Sequence, residues 1–269
     1  MDALHDISLD IDRGECLAIL GGDGAGKSTF AKLLNGIIPQ MEKGTLTGEV
    51  IVNDRRTDST PISELVQKVG LALQDPDTQL FTGSVEEEVA FGPENFGMPV
   101  AEIERNIASA LTAMGLSSQS GKSPGALSGG QKQRLIIAAI LSMNPDVIVL
   151  DEPFSMLDPR GRMELMTSLK KLRKERLITI IVTSQDAEDV HHYCDRIALL
   201  HKGRLIEIDA PEKVLRSSEK LTAIGVEPPE LLNLSERLVK ENLLSPDKIF
   251  IEEEAAVRAL RFSQSGGDA

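Results

Sequence analysis

Eight consecutive residues, Gly21-Gly22-Asp23-Gly24-Ala25-Gly26-Lys27-Ser28, have the types and spacing needed to hold a polyphosphate. Glycines let backbone N–H groups turn inward around a phosphate, a lysine reaches the terminal phosphates, and a hydroxyl at the helix start can ligate Mg²⁺. This chemistry needs a buried strand before the loop and a helix after it. The segment Glu15 to Leu20 is a short apolar run that suits such a strand, and Phe30, Leu33 and Leu34 recur at helical spacing until Asn35-Gly36. Gly21 to Thr29 are therefore candidate nucleotide-binding residues, with Ser28 a candidate metal ligand.

A second constellation follows four apolar residues, Val147 to Leu150, which run into Asp151-Glu152. Acids placed there leave the C-terminal end of a buried strand, the edge of an α/β sheet where ligands bind. Asp151 is expected to hold Mg²⁺ through water, and Glu152 to orient or deprotonate the attacking water. A third lies at Leu127-Ser128-Gly129-Gly130-Gln131-Lys132-Gln133-Arg134, ahead of a helix running through Leu141. Ser128 and the N–H groups of Gly129 and Gly130 at a helix start make a second phosphate cradle.

The elements that must position these residues alternate. Short apolar runs at Val69–Leu73, Val147–Leu150 and Thr179–Val182 are each trailed by a loop and a helical pattern, which predicts a mainly parallel sheet with helices on both faces. Lys202-Gly203 between apolar runs predicts a hairpin. Between Ser84 and Leu141 strand signals give way to helices: Ser84 with Glu87 reads as a capping box, and Val100, Ile103, Ile107, Leu111 and Met114 form a core-facing stripe. Beyond Pro228 comes a Leu-bearing, charged helical appendix, then a polar tail from Ser263 to Ala269.

Composition narrows the function classes. The 269 residues carry 42 acidic and 29 basic side chains, a formal charge of -13, which argues against tracking nucleic-acid phosphates. The longest apolar run, Leu135–Leu141, falls far short of the roughly 18 residues that a membrane helix needs. The first dozen residues lack a signal-peptide pattern, so a cytoplasmic start and a peripheral membrane role are expected. Cys16 and Cys194 sit in apolar contexts and are assigned no chemistry.

With the Leu-Ser-Gly-Gly-Gln core at Leu127–Gln131 placed shortly before the acidic strand, the chain resembles the ABC ATPase family. The resemblance implies a P-loop NTPase with a mainly parallel core, antiparallel β elements and a helical signature subdomain at about residues 84–142. Within this reading residues 1–218 form the nucleotide-binding domain, 219–262 a C-terminal helical extension and 263–269 a flexible tail. It implies ATP and Mg²⁺ as cofactors, and two chains facing head to tail, each ATP lying between one chain's Lys27 loop and the other's Ser128-Gly129-Gly130-Gln131. Gln74 matches a glutamine that touches the metal and links the site to a membrane subunit. Asp158 matches a loop reporting across the dimer, and before Pro159 it is also a good helix N-cap.

The sequence departs from the family twice. Where the family places a histidine after the strand at Thr179–Val182, this chain has Gln185 in Ser184-Gln185-Asp186. An amide can hydrogen-bond a phosphate oxygen but cannot carry a proton as imidazole does. A site containing Gln185 is therefore expected to hydrolyse slowly or to depend on a partner with an intact switch. His191 and His192 are weak substitutes. The aromatic residue that usually stacks on adenine, ahead of the segment matching Leu4–Leu9, has no counterpart. Either the sequence is truncated or other contacts hold the base.

Gln74-Asp75-Pro76-Asp77-Thr78-Gln79-Leu80-Phe81 and Val85–Asn95 resemble the ATPases of energy-coupling factor transporters and their cobalt-uptake relatives. That resemblance implies an importer for vitamins or transition-metal ions. A second ABC ATPase, a transmembrane coupling protein and a small substrate-binding membrane protein would complete it at the cytoplasmic face. Asp75, Asp77 and Glu86–Glu88 are a candidate docking surface for basic helices of the coupling protein, or else a solvated helix start. The alternatives are a soluble ABC ATPase acting on nucleic acid or ribosomes, and a hydrolysis-impaired ATP-binding subunit.

Overall fold

The computed structural model describes residues 3–264, with side chains through Leu260. In chain order its main elements are β1 (Cys16–Leu20), α1 (Lys27–Leu34), β2 (Ile51–Val52), β3 (Arg55–Arg56), β4 (Val69–Ala72), α2 (Val85–Asn95), α3 (Val100–Ala113), α4 (Gly129–Ser142), β5 (Val147–Asp151), α5 (Pro159–Arg176), β6 (Thr179–Ser184), β7 (Arg196–His201), β8 (Arg204–Asp209), α6 (Ser218–Ala223), α7 (Glu230–Lys240) and α8 (Glu253–Gln264). The predicted tail at 263–269 begins inside α8, and residues 265–269 lie outside the described residues.

The chain divides into two compact units. One comprises Leu9–Cys16 and Ser28–Thr183. There β4, β5 and β6 pair in parallel, with Ala72 opposite Leu150 and Asp151 opposite Thr183. All of β4 and β5 is buried, as expected of parallel strands covered on both faces. The helical insert α2–α3–α4 belongs to this unit, and α4 is its hub, burying Leu135, Ile136, Ile137, Ile140 and Leu141. Strand β4 meets α4 closely: a Cβ at Gly70 would come within 2.1 Å of Ile140.

The predicted capping box forms. Ser84 Oγ accepts from the Glu87 N–H, and the Glu87 carboxylate accepts from the Ser84 N–H. The predicted stripe on α3 needs one correction: Ile103, Leu111 and Met114 are buried, whereas Val100 is 71% exposed. Val100 is the first residue of the helix, reached before α3 comes onto its neighbours.

The other unit comprises Met1–Ser8, Leu17–Lys27 and Ser184–Ala269. Here β1 pairs in parallel with β7, and β7 turns back antiparallel onto β8. His201 pairs with Arg204 across Lys202-Gly203, whose φ values of 47° and 74° are those of a type I′ turn. The extension has a small core of its own, in which Leu244, Phe250 and Ala256 pack with Leu231, Leu238 and Val239.

Candidate functional site

The loop Gly21–Lys27 joins β1 to α1, as its chemistry requires. Gly24 and Gly26 adopt φ of 70° and 105°, values that disfavour any side chain, and these turns curl the main chain. Lys27 is buried, with Nζ donating to the carbonyls of Gly21 at 2.7 Å and Gly22 at 3.2 Å. The ammonium thus lies folded across its own loop, ready to exchange these neutral acceptors for anionic ones. Ser28 and Thr29 occupy the first turn of α1, Ser28 exposed.

In the same unit as the loop, Gln185 Nε2 donates to Asp23 Oδ1 at 2.7 Å. The amide in the departing position is therefore tied to the phosphate loop. The Gln185 carbonyl accepts from Glu227 N at 2.8 Å, and Ala187 N donates back to Glu227 O at 2.9 Å. His191 and His192 turn toward the extension, to the Ile251 carbonyl and the Glu252 carboxylate, so neither stands in for the missing histidine.

The unit carrying the acidic strand positions Asp151 and Glu152 by a device that sequence reasoning missed. Thr183 Oγ1, fully buried, donates to Asp151 Oδ1 at 2.6 Å and accepts from Glu152 N at 3.0 Å. Its strand spacing alone carries no signal of this, because the bond spans 32 residues. Glu152 takes φ of 50°, a left-handed conformation uncommon for residues other than glycine. Gln74 follows Ala72 by two residues, as Glu152 follows its pairing partner Leu150, so both leave the same sheet edge. Gln79 fixes that edge: its amide accepts from Leu73 N at 2.8 Å and donates to Leu71 O at 3.1 Å.

The second cradle is a capping box at the start of α4. Ser128 Oγ accepts from Gln131 N at 3.3 Å, and Gln131 Oε1 accepts from Ser128 N at 3.0 Å. A Cβ at Gly130 would come within 2.6 Å of Leu157, so glycine permits the loop Ser155–Asp158 to close over the helix start. Asp158 caps α5, accepting from Gly161 N at 2.8 Å.

The candidate acidic docking surface needs correction at one residue, Glu88. Glu88 is buried and accepts from Phe81 N, Thr82 N and Thr82 Oγ1, while Glu87 is spent on the capping box. Asp75 accepts from Asp77 N, Asp77 pairs with Lys132 at 2.6 Å, and Glu86 accepts from Ser120. Glu88 therefore serves the fold, while Asp75, Asp77, Glu86 and Glu87 remain exposed. The same region also exposes two aromatic rings: Phe81 and Phe91, 65% and 45% exposed, meet edge to face at 4.7 Å. Phe91 lies on a cavity of about 410 Å³ lined also by Leu80, Phe96, Ile136, Ile140 and Met143.

Among the described residues no helix is long and apolar enough to cross a membrane.

Comparison with known proteins agrees with this arrangement. Residues 4–155 match the ABC transporter family model. An ABC transporter ATP-binding protein of Pyrococcus horikoshii is 42% identical over 98% of this chain and 93% of its own. The energy-coupling factor transporter ATP-binding protein EcfA of Syntrophomonas wolfei is 40% identical over 94% of this chain and 91% of its own. Among solved structures, cbiO1 of Clostridium perfringens, described as part of the ABC transporter complex cbiONQ, superposes with a TM-score of 0.75 at 35% identity, covering 90% of this chain and 92% of that one. The ATP-binding cassette MJ0796, solved as a dimer bound to ADP and phosphate, gives 0.68 at 28% identity over 78% and 90% of the two chains. The chain belongs to the ABC transporter family, as one of its ATP-hydrolysing chains.

Proposed function

We propose that this chain is one of a pair of ATPase subunits powering an energy-coupling factor importer at the cytoplasmic face of a membrane. The observation that carries this reading is the presence of two separate phosphate cradles, Gly21–Thr29 and Ser128–Gln131, in a chain with about 40% identity to an energy-coupling factor ATPase over nearly its whole length. One nucleotide needs one loop of the Lys27 kind, so a second cradle has a use when another chain supplies the nucleotide. The dimeric state of MJ0796 supports the same arrangement.

In this reading Lys27 neutralises the β- and γ-phosphates, and loop amides orient them. Ser28, Asp151 and Gln74 offer a hydroxyl, a carboxylate and an amide carbonyl, an all-oxygen set that fits Mg²⁺, which would supply charge neutralisation between phosphates. Thr183 holds the Asp151 carboxylate in place and fixes the backbone of Glu152. Glu152 then orients the attacking water and accepts its proton. Asp158, besides capping α5, would report across the dimer. The extension at 219–262 would add to the pairing of the two chains.

A helix of the transmembrane coupling protein would occupy the apolar cleft beside Phe91, with the exposed faces of Phe81 and Phe91 as its anchor. Gln74 and Gln79 join that neighbourhood to the sheet edge carrying Glu152. A small membrane protein would bind the solute, a vitamin or a transition-metal ion, which this chain does not touch.

The reading is tested by mass spectrometry of what co-purifies with the tagged chain from gently solubilised membranes of its host. A second ABC ATPase with one or two polytopic membrane proteins is the expected result. Recovery only with ribosomes or nucleic acid would overturn the transport reading and leave the ATPase.

A further inference from the structure

The structure assigns a second, separate metal site: we infer that Glu188, His191 and His192 bind one borderline divalent cation such as Zn²⁺, and that the bound ion locks the C-terminal extension to the segment bearing Gln185. The potential ligand atoms of these three residues all lie within 4.8 Å of one another. Two imidazoles with a carboxylate form a donor set that suits Zn²⁺, Ni²⁺ or Co²⁺ and is a poor match for Mg²⁺.

The geometry of His191 supplies the second observation. The residue is 3% exposed, and both ring nitrogens face backbone carbonyls, Nδ1 at 3.0 Å from Ala187 O and Nε2 at 3.1 Å from Ile251 O. Carbonyl oxygens only accept, and a neutral imidazole has one N–H. One ring nitrogen therefore turns its lone pair toward oxygen lone pairs in a buried place. A cation relieves that conflict. Donation of the other N–H to a carbonyl is the arrangement that orients metal-ligating histidines.

A proton on His191 would also relieve it, but the neighbouring ring argues for a metal. His192 lies with its ring centroid 3.7 Å from that of His191. A metal would use both rings as neutral ligands. Carboxylates balance the added charge: Glu188, and Glu252, whose two oxygens both lie 2.9 Å from His192 Nδ1.

The cluster joins segments that the ion would hold together. Glu188 accepts from Glu230 N at the start of α7, and Ile251 and Glu252 immediately precede α8. His191 follows Gln185 by six residues. An ion here would stiffen the link between the extension and the residue tied to Asp23.

The test uses the tag-free full chain, stripped with chelator and titrated with Zn²⁺ against a chromophoric competitor, with no nucleotide present. One equivalent is expected to bind. His192→Ala and Glu188→Gln, each folded by circular dichroism, should each weaken binding by at least about tenfold, the loss seen even for outer partners of metal sites. In the wild-type chain alone, Zn²⁺ should also slow hydrogen exchange across residues 249–260. Absence of stoichiometric binding, or binding undiminished in both variants, overturns the site and leaves a proton on His191 as the explanation of its contacts. Either result is independent of the transporter reading, because no step of hydrolysis uses these residues.

Discussion

Two glycine-led helix starts in this molecule look alike in sequence and differ in what satisfies them. At α1 the loop presents curled amides and a buried Lys27 whose ammonium rests on the Gly21 and Gly22 carbonyls. At α4, Ser128 and Gln131 satisfy each other through a reciprocal capping box. The first start is a seat that a polyphosphate completes. The second already holds its Ser128 and Gln131 N–H groups in its own cap, so a phosphate brought by another chain would meet the Gly129 and Gly130 N–H groups beside that cap. On the paired-chain proposal, the first start takes the chain's own nucleotide and the second meets the partner's.

The largest effect is expected at the first start. Lys27→Ala should lower ATP turnover by about 10²–10³-fold, the loss typical of removing one preorganised donor to a developing charge, as measured by phosphate release from the purified complex. A loss under tenfold would show that the loop amides suffice. At the second start, Ser128→Ala should cost about 1 kcal/mol of stability in urea unfolding, the usual effect of losing an N-cap, while Lys27→Ala, which removes no cap, should lack that particular penalty. Equal stability of Ser128→Ala and wild type would mean that the box contributes nothing to the resting helix.

The smallest effect concerns Gln185. Restoring histidine by Gln185→His removes the amide that donates to Asp23 and supplies a group able to carry a proton. Turnover in the assembled complex should rise a few-fold, following the proton-carrying role. Unchanged turnover would assign the slow step elsewhere.

The strand-loop-helix unit around Lys27 and the strand that delivers Asp151 were legible in the sequence because each is local: apolar runs of strand length end directly at the chemistry. The Lys202-Gly203 turn and the Ser84–Glu87 box were legible for the same reason, their geometry being set within four residues. Thr183 was not, since its hydroxyl serves Asp151 only after β5 and β6 pair. Nor was the Gln185–Asp23 bond, which spans 162 residues. Within the run Glu86–Glu88, Glu88 misled because charge suggests solvent, whereas its side chain is buried and accepts from three donors of Phe81 and Thr82. Val100 misled in the opposite sense, because its periodicity extends one turn beyond the neighbours that bury α3.

On the proposed function, the second helix start serves a nucleotide held by the partner chain. Its most direct test is ATP turnover by the natively purified complex in which this chain carries Ser128→Arg, with nucleotide binding by the same chain's own Lys27 loop followed by photolabelling. Turnover is expected to fall at least tenfold, as for a lost charge-stabilising group, while labelling of this chain persists. Full turnover with Ser128→Arg would mean that the Ser128 cradle takes no part in the reaction, and the paired-cassette reading would fall.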